Sequence, residues 1–130
     1  MIRQWGISVP AVRMVTYKLA ERHSGKGTKM SKVRHVFAWR VSAGNKQEEI
    51  VEILNTLPPR LEFIKGWEIG THAGDPGDNG APWDGVLISD FESWDDLDRY
   101  STDPFHLEVV ATLMPMFADR AVVDYEVEGE

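Results

Sequence analysis

The sequence has no cysteine. Disulfides, thiolate nucleophiles and cysteine-held zinc or iron–sulfur sites are therefore excluded, and one common mark of a secreted protein is missing. No apolar run approaches the roughly 18 residues that a membrane-spanning helix needs. The cytoplasm is the expected compartment, and a membrane is not an expected partner. Positive charge is also short: 14 Lys and Arg stand against 21 Asp and Glu, a net charge of −7. An acidic domain repels a phosphate backbone, so nucleic acid is not an expected partner either.

What is present is ordinary for a folded globular chain: 130 residues, 42% apolar and 27% charged. That length makes one domain with a core and leaves little room for a second. The charge is uneven. Residues 1–29 carry six Lys or Arg and one acid, Glu21, whereas residues 30–130 carry eight basic and twenty acidic side chains. Ser24-Gly25-Lys26-Gly27-Thr28-Lys29 reads as a linker between the two. The expected division is a basic, poorly ordered N-terminal extension at 1–29 and a single domain at 30–130. Three readings of the extension stay open: an upstream segment ahead of a start at Met30, an Arg-rich targeting peptide, or an arm with a helical turn or two over 12–22.

From Val33 the pattern is regular. Val33, His35, Phe37, Trp39 and Val41 alternate with Arg34, Val36, Ala38 and Arg40, which predicts a strand. Asn45 followed by Glu48 resembles a capping box, opening a helix whose stripe is Ile50, Ile53, Leu54 and Leu57 and whose end is Pro58-Pro59. A second strand is predicted over 63–71, a polar loop over 71–82, and a third strand over 83–91. Ser93 caps a short helix with Trp94, Leu97 and Tyr100 on one face, a second helical piece covers 104–118, and a last strand covers 120–127. The order β-α-β-β-α-β is the ferredoxin-like α+β plan, an antiparallel sheet with helices on one side. Val36, Ala38, Val86 and Ile88 make the other face too apolar to stay wet. A second copy covering it would give a homodimer, two sheets closing into an α/β barrel.

The chemistry-bearing stretch is Tyr100-Ser101-Thr102-Asp103-Pro104-Phe105-His106. Asp103 is a good N-cap and Pro104 suits the first helical position, so His106 falls in the first turn. The helix dipole there disfavours imidazolium, which predicts a neutral ring able to accept a proton. At offsets of four, seven and eleven, Val110, Leu113 and Phe117 share its face. His35 sits with Phe37 and Trp39 on the strand face that meets the helices. The expected pocket is lined by His35, Phe37, Trp39, Leu87, Val110, Leu113 and Phe117, with His106 and Tyr100 as the reacting pair. No third ligand stands at a metal-binding spacing from His35 and His106, so no metal is expected. His72, Asp75, Asp78 and Asn79 do not reproduce a calcium loop and read as a solvated turn. Four of the five tryptophans, Trp39, Trp67, Trp83 and Trp94, fall in the domain and offer aromatic walls, and Pro115 is expected to kink the last helix.

Residues 33–127 resemble the stress-responsive dimeric α/β-barrel (Dabb) family. The resemblance is carried by Val33-Arg34-His35-Val36-Phe37, Phe91-Glu92-Ser93, Tyr100 with Asp103-Pro104-Phe105-His106, Leu113-Met114-Pro115 and Val122-Val123-Asp124-Tyr125. It implies a ferredoxin-like fold and a homodimer. Within that family the Tyr100, His106 and His35 positions are similar to those of the olivetolic acid cyclase branch, which closes a polyketide by an aldol-type condensation. Asp103 stands where a histidine is common in the family, and Gly85 where that branch has another pocket histidine. The implied chemistry is proton abstraction next to a carbonyl by His106, with Tyr100 steadying the enolate oxygen and no cofactor required. The alternatives are a non-enzymatic, stress-associated binding or scaffold dimer, and a small monooxygenase of a related barrel type.

Overall fold

The computed structural model describes residues 31–128. The predicted extension at 1–29 lies outside them. β1 is Lys32–Val41, α1 Gln47–Leu54, β2 Gly66–Thr71, β3 Gly85–Phe91, α2 Trp94–Thr102, α3 Pro104–Leu113 and β4 Phe117–Val127, with a 3-10 turn at Met114–Met116 before β4. The four strands form one antiparallel sheet in the order β2-β3-β1-β4. This is the ferredoxin-like plan, and β1 runs through the middle of it. Among the described residues no helix is long and apolar enough to cross a membrane.

Alternation along β1 sorts its side chains onto two faces. Val33 and Trp39 are buried against Ile50 and Leu54 of α1, Leu97 of α2 and Val109 and Leu113 of α3. On the other face, Val36 pairs across the sheet with Ile88 and Val123, and Ala38 with Val86 and Ala121. Val123 and Tyr125 are exposed there. An ion pair holds one end of this open face: Arg34 donates to both oxygens of Asp90 at 2.7 and 3.0 Å, and Lys32 approaches at 3.6 Å. Gly66 makes room for it, since a Cβ there would come within 2.9 Å of the Asp90 carboxylate.

Several boundaries differ from the sequence pattern. Asn45 is no cap: it donates to Ser42 Oγ at 2.8 Å, and Lys46 precedes α1 with no side-chain hydrogen bond. Acidic Glu48 and Glu49 in the first turn still suit the helix dipole. Residues 55–64 turn repeatedly, with Arg60 N–H donating to Leu57 C=O and Ile64 N–H to Leu61 C=O, so β2 starts only at Gly66. Asp84 is drawn out of β3 to accept from Val41 N–H at 2.7 Å, while Trp83 lies under the Arg40 guanidinium. Pro115 does not kink a long helix. α3 ends at Leu113, the proline sits in the 3-10 turn, and β4 begins at Phe117.

Trp39 is fully buried, its indole N–H donating to Gln47 Oε1 at 2.8 Å. Its cross-strand partner is Gly85, and a Cβ on that residue would overlap the indole ring. The glycine thus exists for the tryptophan. Gly85→Ala is expected to lower stability by about 1–3 kcal/mol, as overpacking a full core does. Urea unfolding that shows no loss would contradict this packing.

Candidate functional site

α2 starts at Ser93, whose Oγ accepts from Asp96 N–H at 3.1 Å. It ends at Asp103, which leaves the helix with φ −64° and ψ 133° while its N–H still reaches Tyr100 C=O. The same residue opens α3. Asp103 Oδ1 accepts from Phe105 N–H at 2.7 Å and from His106 N–H at 3.3 Å, with Pro104 next to it as the first helical residue. One short break therefore stops a helix just after Tyr100 and starts another just before His106. The two rings meet with centroids 4.1 Å apart. His35 also meets Tyr100, edge-on, at 6.0 Å.

These rings close one end of a cavity of about 250 Å3 between sheet and helices. Of the residues expected there, His35, Phe37, Leu87, Tyr100, His106, Val110, Leu113 and Phe117 all line it. Trp39 does not. It packs behind Phe37 and Phe117, at 6.0 Å from each, because Gly85 lets it sink into the core. The other tryptophans among the described residues are also elsewhere: Trp67 bonds Asn55, Trp83 lies under Arg40 and Trp94 bonds Glu126. Phe117 arrives from β4 rather than from the helix face that its spacing suggested. The lining that the sequence did not disclose is Leu54, Leu57, Val109, Met114, Arg120 and Val122.

Asp124 was missed as well. It lies opposite His35 in the β1–β4 register, and its Oδ1 is 2.5 Å from His35 Nδ1. A carboxylate only accepts, so Nδ1 carries the proton and Nε2 is the nitrogen left for the cavity. The signal was the alternation Val122, Asp124, Glu126, which puts an acid on the packed side of a strand. The polar loop behaves as a turn: His72 Nε2–H donates to Gly74 C=O, and Asp75 accepts from Gly77 N–H. Among the described residues, no three acidic or histidine side chains are grouped as a metal would need.

Burial pushes the Tyr100 hydroxyl well above its usual 10, so it is a neutral donor. Burial also lowers His106 below its ordinary 6.5, and its neighbour His35 acts in the same direction. The Ser101 carbonyl and Asp103 act the other way. The ring is therefore predominantly neutral at pH 7, with desolvation as the largest cause. Ser101 is close enough to favour a ring proton, yet no hydrogen bond of normal length reaches His106 Nδ1, which is shut off from water.

The fold and the site define a class: a ferredoxin-like α+β domain with an apolar cavity walled by two histidines and a buried tyrosine. The model of the stress responsive A/B barrel domain matches residues 33–127, and the chain belongs to that family. A dimeric protein of ferredoxin-like fold from Bacteroides fragilis is 28% identical, with a TM-score of 0.57 over 73% of this chain and 95% of that one. The hydroxynitrile lyase of Passiflora edulis is 23% identical, with a TM-score of 0.66 over 76% of this chain and 94% of its own. A dimeric ferredoxin-like protein from Jannaschia sp. CCS1 is 21% identical, with a TM-score of 0.63 over 74% and 99%. The last two likenesses establish fold. No curated protein matches the chain.

The depressed His106 makes a signed prediction. Its folded value lies below its unfolded value of 6.5, so unfolding takes up a proton below that pH. The stability involved is complete above about pH 6.5 and falls as the pH drops towards the folded midpoint. An NMR titration should place the His106 midpoint below 6.5, and a midpoint at or above that value would contradict its burial.

Proposed function

We propose that this chain pairs with a second copy through the open face of its sheet and binds a small apolar or aromatic carbonyl compound in the cavity. There His106 removes a proton next to the carbonyl, and Tyr100 donates a hydrogen bond to the enolate oxygen that forms. One observation carries this reading: His35, Tyr100 and His106, from β1, α2 and α3, converge on one mostly apolar cavity. At about 250 Å3 it is smaller than the usual drug-sized site, so the ligand is small.

Each group suits its task. A neutral imidazole takes a proton that an imidazolium could not, and removal of water around it sharpens the directionality of the transfer. The C–H bond breaks, its electron pair moves onto the carbonyl oxygen, and the proton passes to His106. The buried phenol meets the oxygen where negative charge grows. His35, oriented by Asp124, offers Nε2 as a second polar contact. The enolate carbon then recaptures the proton, or attacks a second carbonyl whose oxygen takes the proton back from His106, which is an aldol-type step. All of this draws on side chains alone. The Passiflora edulis enzyme of the same fold is named for lyase chemistry, which fits a cavity built to handle a proton near a carbonyl carbon. The dimeric state of the Bacteroides fragilis and Jannaschia proteins supports pairing here, as do exposed Val123 and Tyr125 on the open face.

A second reading is favoured by the burial of Tyr100, which is 3% exposed and packs at 5.0 Å on Phe91. In it the three polar rings are structural, and the family's stress association reflects binding alone. Proton abstraction separates the two. With acetophenone in heavy water, the protein should exchange the methyl protons for deuterium faster than buffer does. His106→Gln should reduce the protein-dependent rate by about 10²-fold or more, and Tyr100→Phe by about 10-fold. Exchange that is absent, or that survives His106→Gln, would sink the enzymatic reading and leave the binding one.

A further inference from the structure

The cavity has a second polar pole. In the β1–β4 register, His35 pairs with Asp124, Phe37 with Val122 and Trp39 with Arg120, all on the helix side of the sheet. Arg120 therefore lies four residues along β4 from Asp124, about 13 Å at the ordinary rise of a strand. Both Arg120 and His35 line the cavity, with Phe37 and Val122 between them in the register. Arg120 is the one permanently charged side chain in that lining.

Its guanidinium has no ion pair among the described residues. The adjacent Asp119 faces the other side of the sheet, where it accepts from Arg40 Nη1 at 3.4 Å, and it meets Arg120 through the backbone N–H rather than the guanidinium. What holds the side chain is Met114 Sδ, to which Nη1 donates at 2.8 Å. A thioether is a weak acceptor, so the guanidinium is positioned over the end of α3 without being neutralised. Its fork of N–H donors matches the two oxygens of a carboxylate.

We propose that Arg120 sets the substrate class: the ligand carries its carbonyl at the His35, Tyr100 and His106 end and a carboxylate at the Arg120 end, with an apolar stretch between. This rests on the carbonyl-binding reading of the cavity. Arg120 is open to solvent, which screens the pairing and fixes its expected worth at about tenfold in affinity rather than more.

The test is calorimetric titration of the full chain with benzoylpropanoate, benzoylbutanoate and benzoylpentanoate, each beside its methyl ester. At least one acid should bind about tenfold more tightly than its ester. Arg120→Gln should bring that acid down to the level of its ester, whose continued binding shows that the variant is folded. Esters that bind while the acids show no advantage, or an advantage that survives Arg120→Gln, overturn the role of Arg120 and leave the cavity reading standing. If neither acids nor esters bind the wild-type protein, the cavity reading itself fails and this one falls with it.

Discussion

The site depends on one carboxylate. Asp103 accepts the N–H groups of Phe105 and His106 while its own N–H closes the preceding helix on Tyr100. A cap of this kind is worth about 1 kcal/mol, a modest sum with a large geometric effect. A continuous helix would hold residues 100 and 106 well over a turn apart and rotated away from each other. The break re-aims the second helix, and the two rings come to 4.1 Å. From that contact follow the desolvated His106, the buried Tyr100 ring and the polar end of the cavity.

A second constraint comes from the sheet. Gly85 gives up its side chain so that Trp39 can be fully buried, and Phe37 and Phe117 rest against that indole as the floor of the cavity. The same β1 alternation that buries Trp39 presents His35 to the cavity and Arg34 to the open face. There Arg34 is tied to Asp90, which holds that carboxyl below its usual range despite the opposing effect of burial. One strand thus carries the core, the site and the exposed sheet surface, and a one-residue slip would exchange them.

What the sequence disclosed was local. The period of two from Val33 to Val41 and the Asp103-Pro104 break both follow from neighbours, and both appear in the structure as read. So does the helical row His106, Val110, Leu113. What escaped were relations across distance. Asp124 is 89 residues from His35, and only the strand register brings them together. Trp39 shares the cavity-facing side of β1, but the register with Gly85 sends it deeper. The apolar pattern that runs on past Pro115 to Phe117 suggests a kinked helix, yet that pattern is shared between a helix end and a strand start. The tryptophans misled for a related reason: an indole N–H seeks a partner such as Gln47 or Asn55, and those partners sit outside the cavity.

Native mass spectrometry of the full chain with added acetophenone tests the central claim most directly. The account predicts a dimer that carries one ketone per chain, displaced when Leu113→Trp fills the cavity. A single chain at micromolar concentration, a dimer that takes up no ketone, or a ketone that Leu113→Trp does not displace would contradict it.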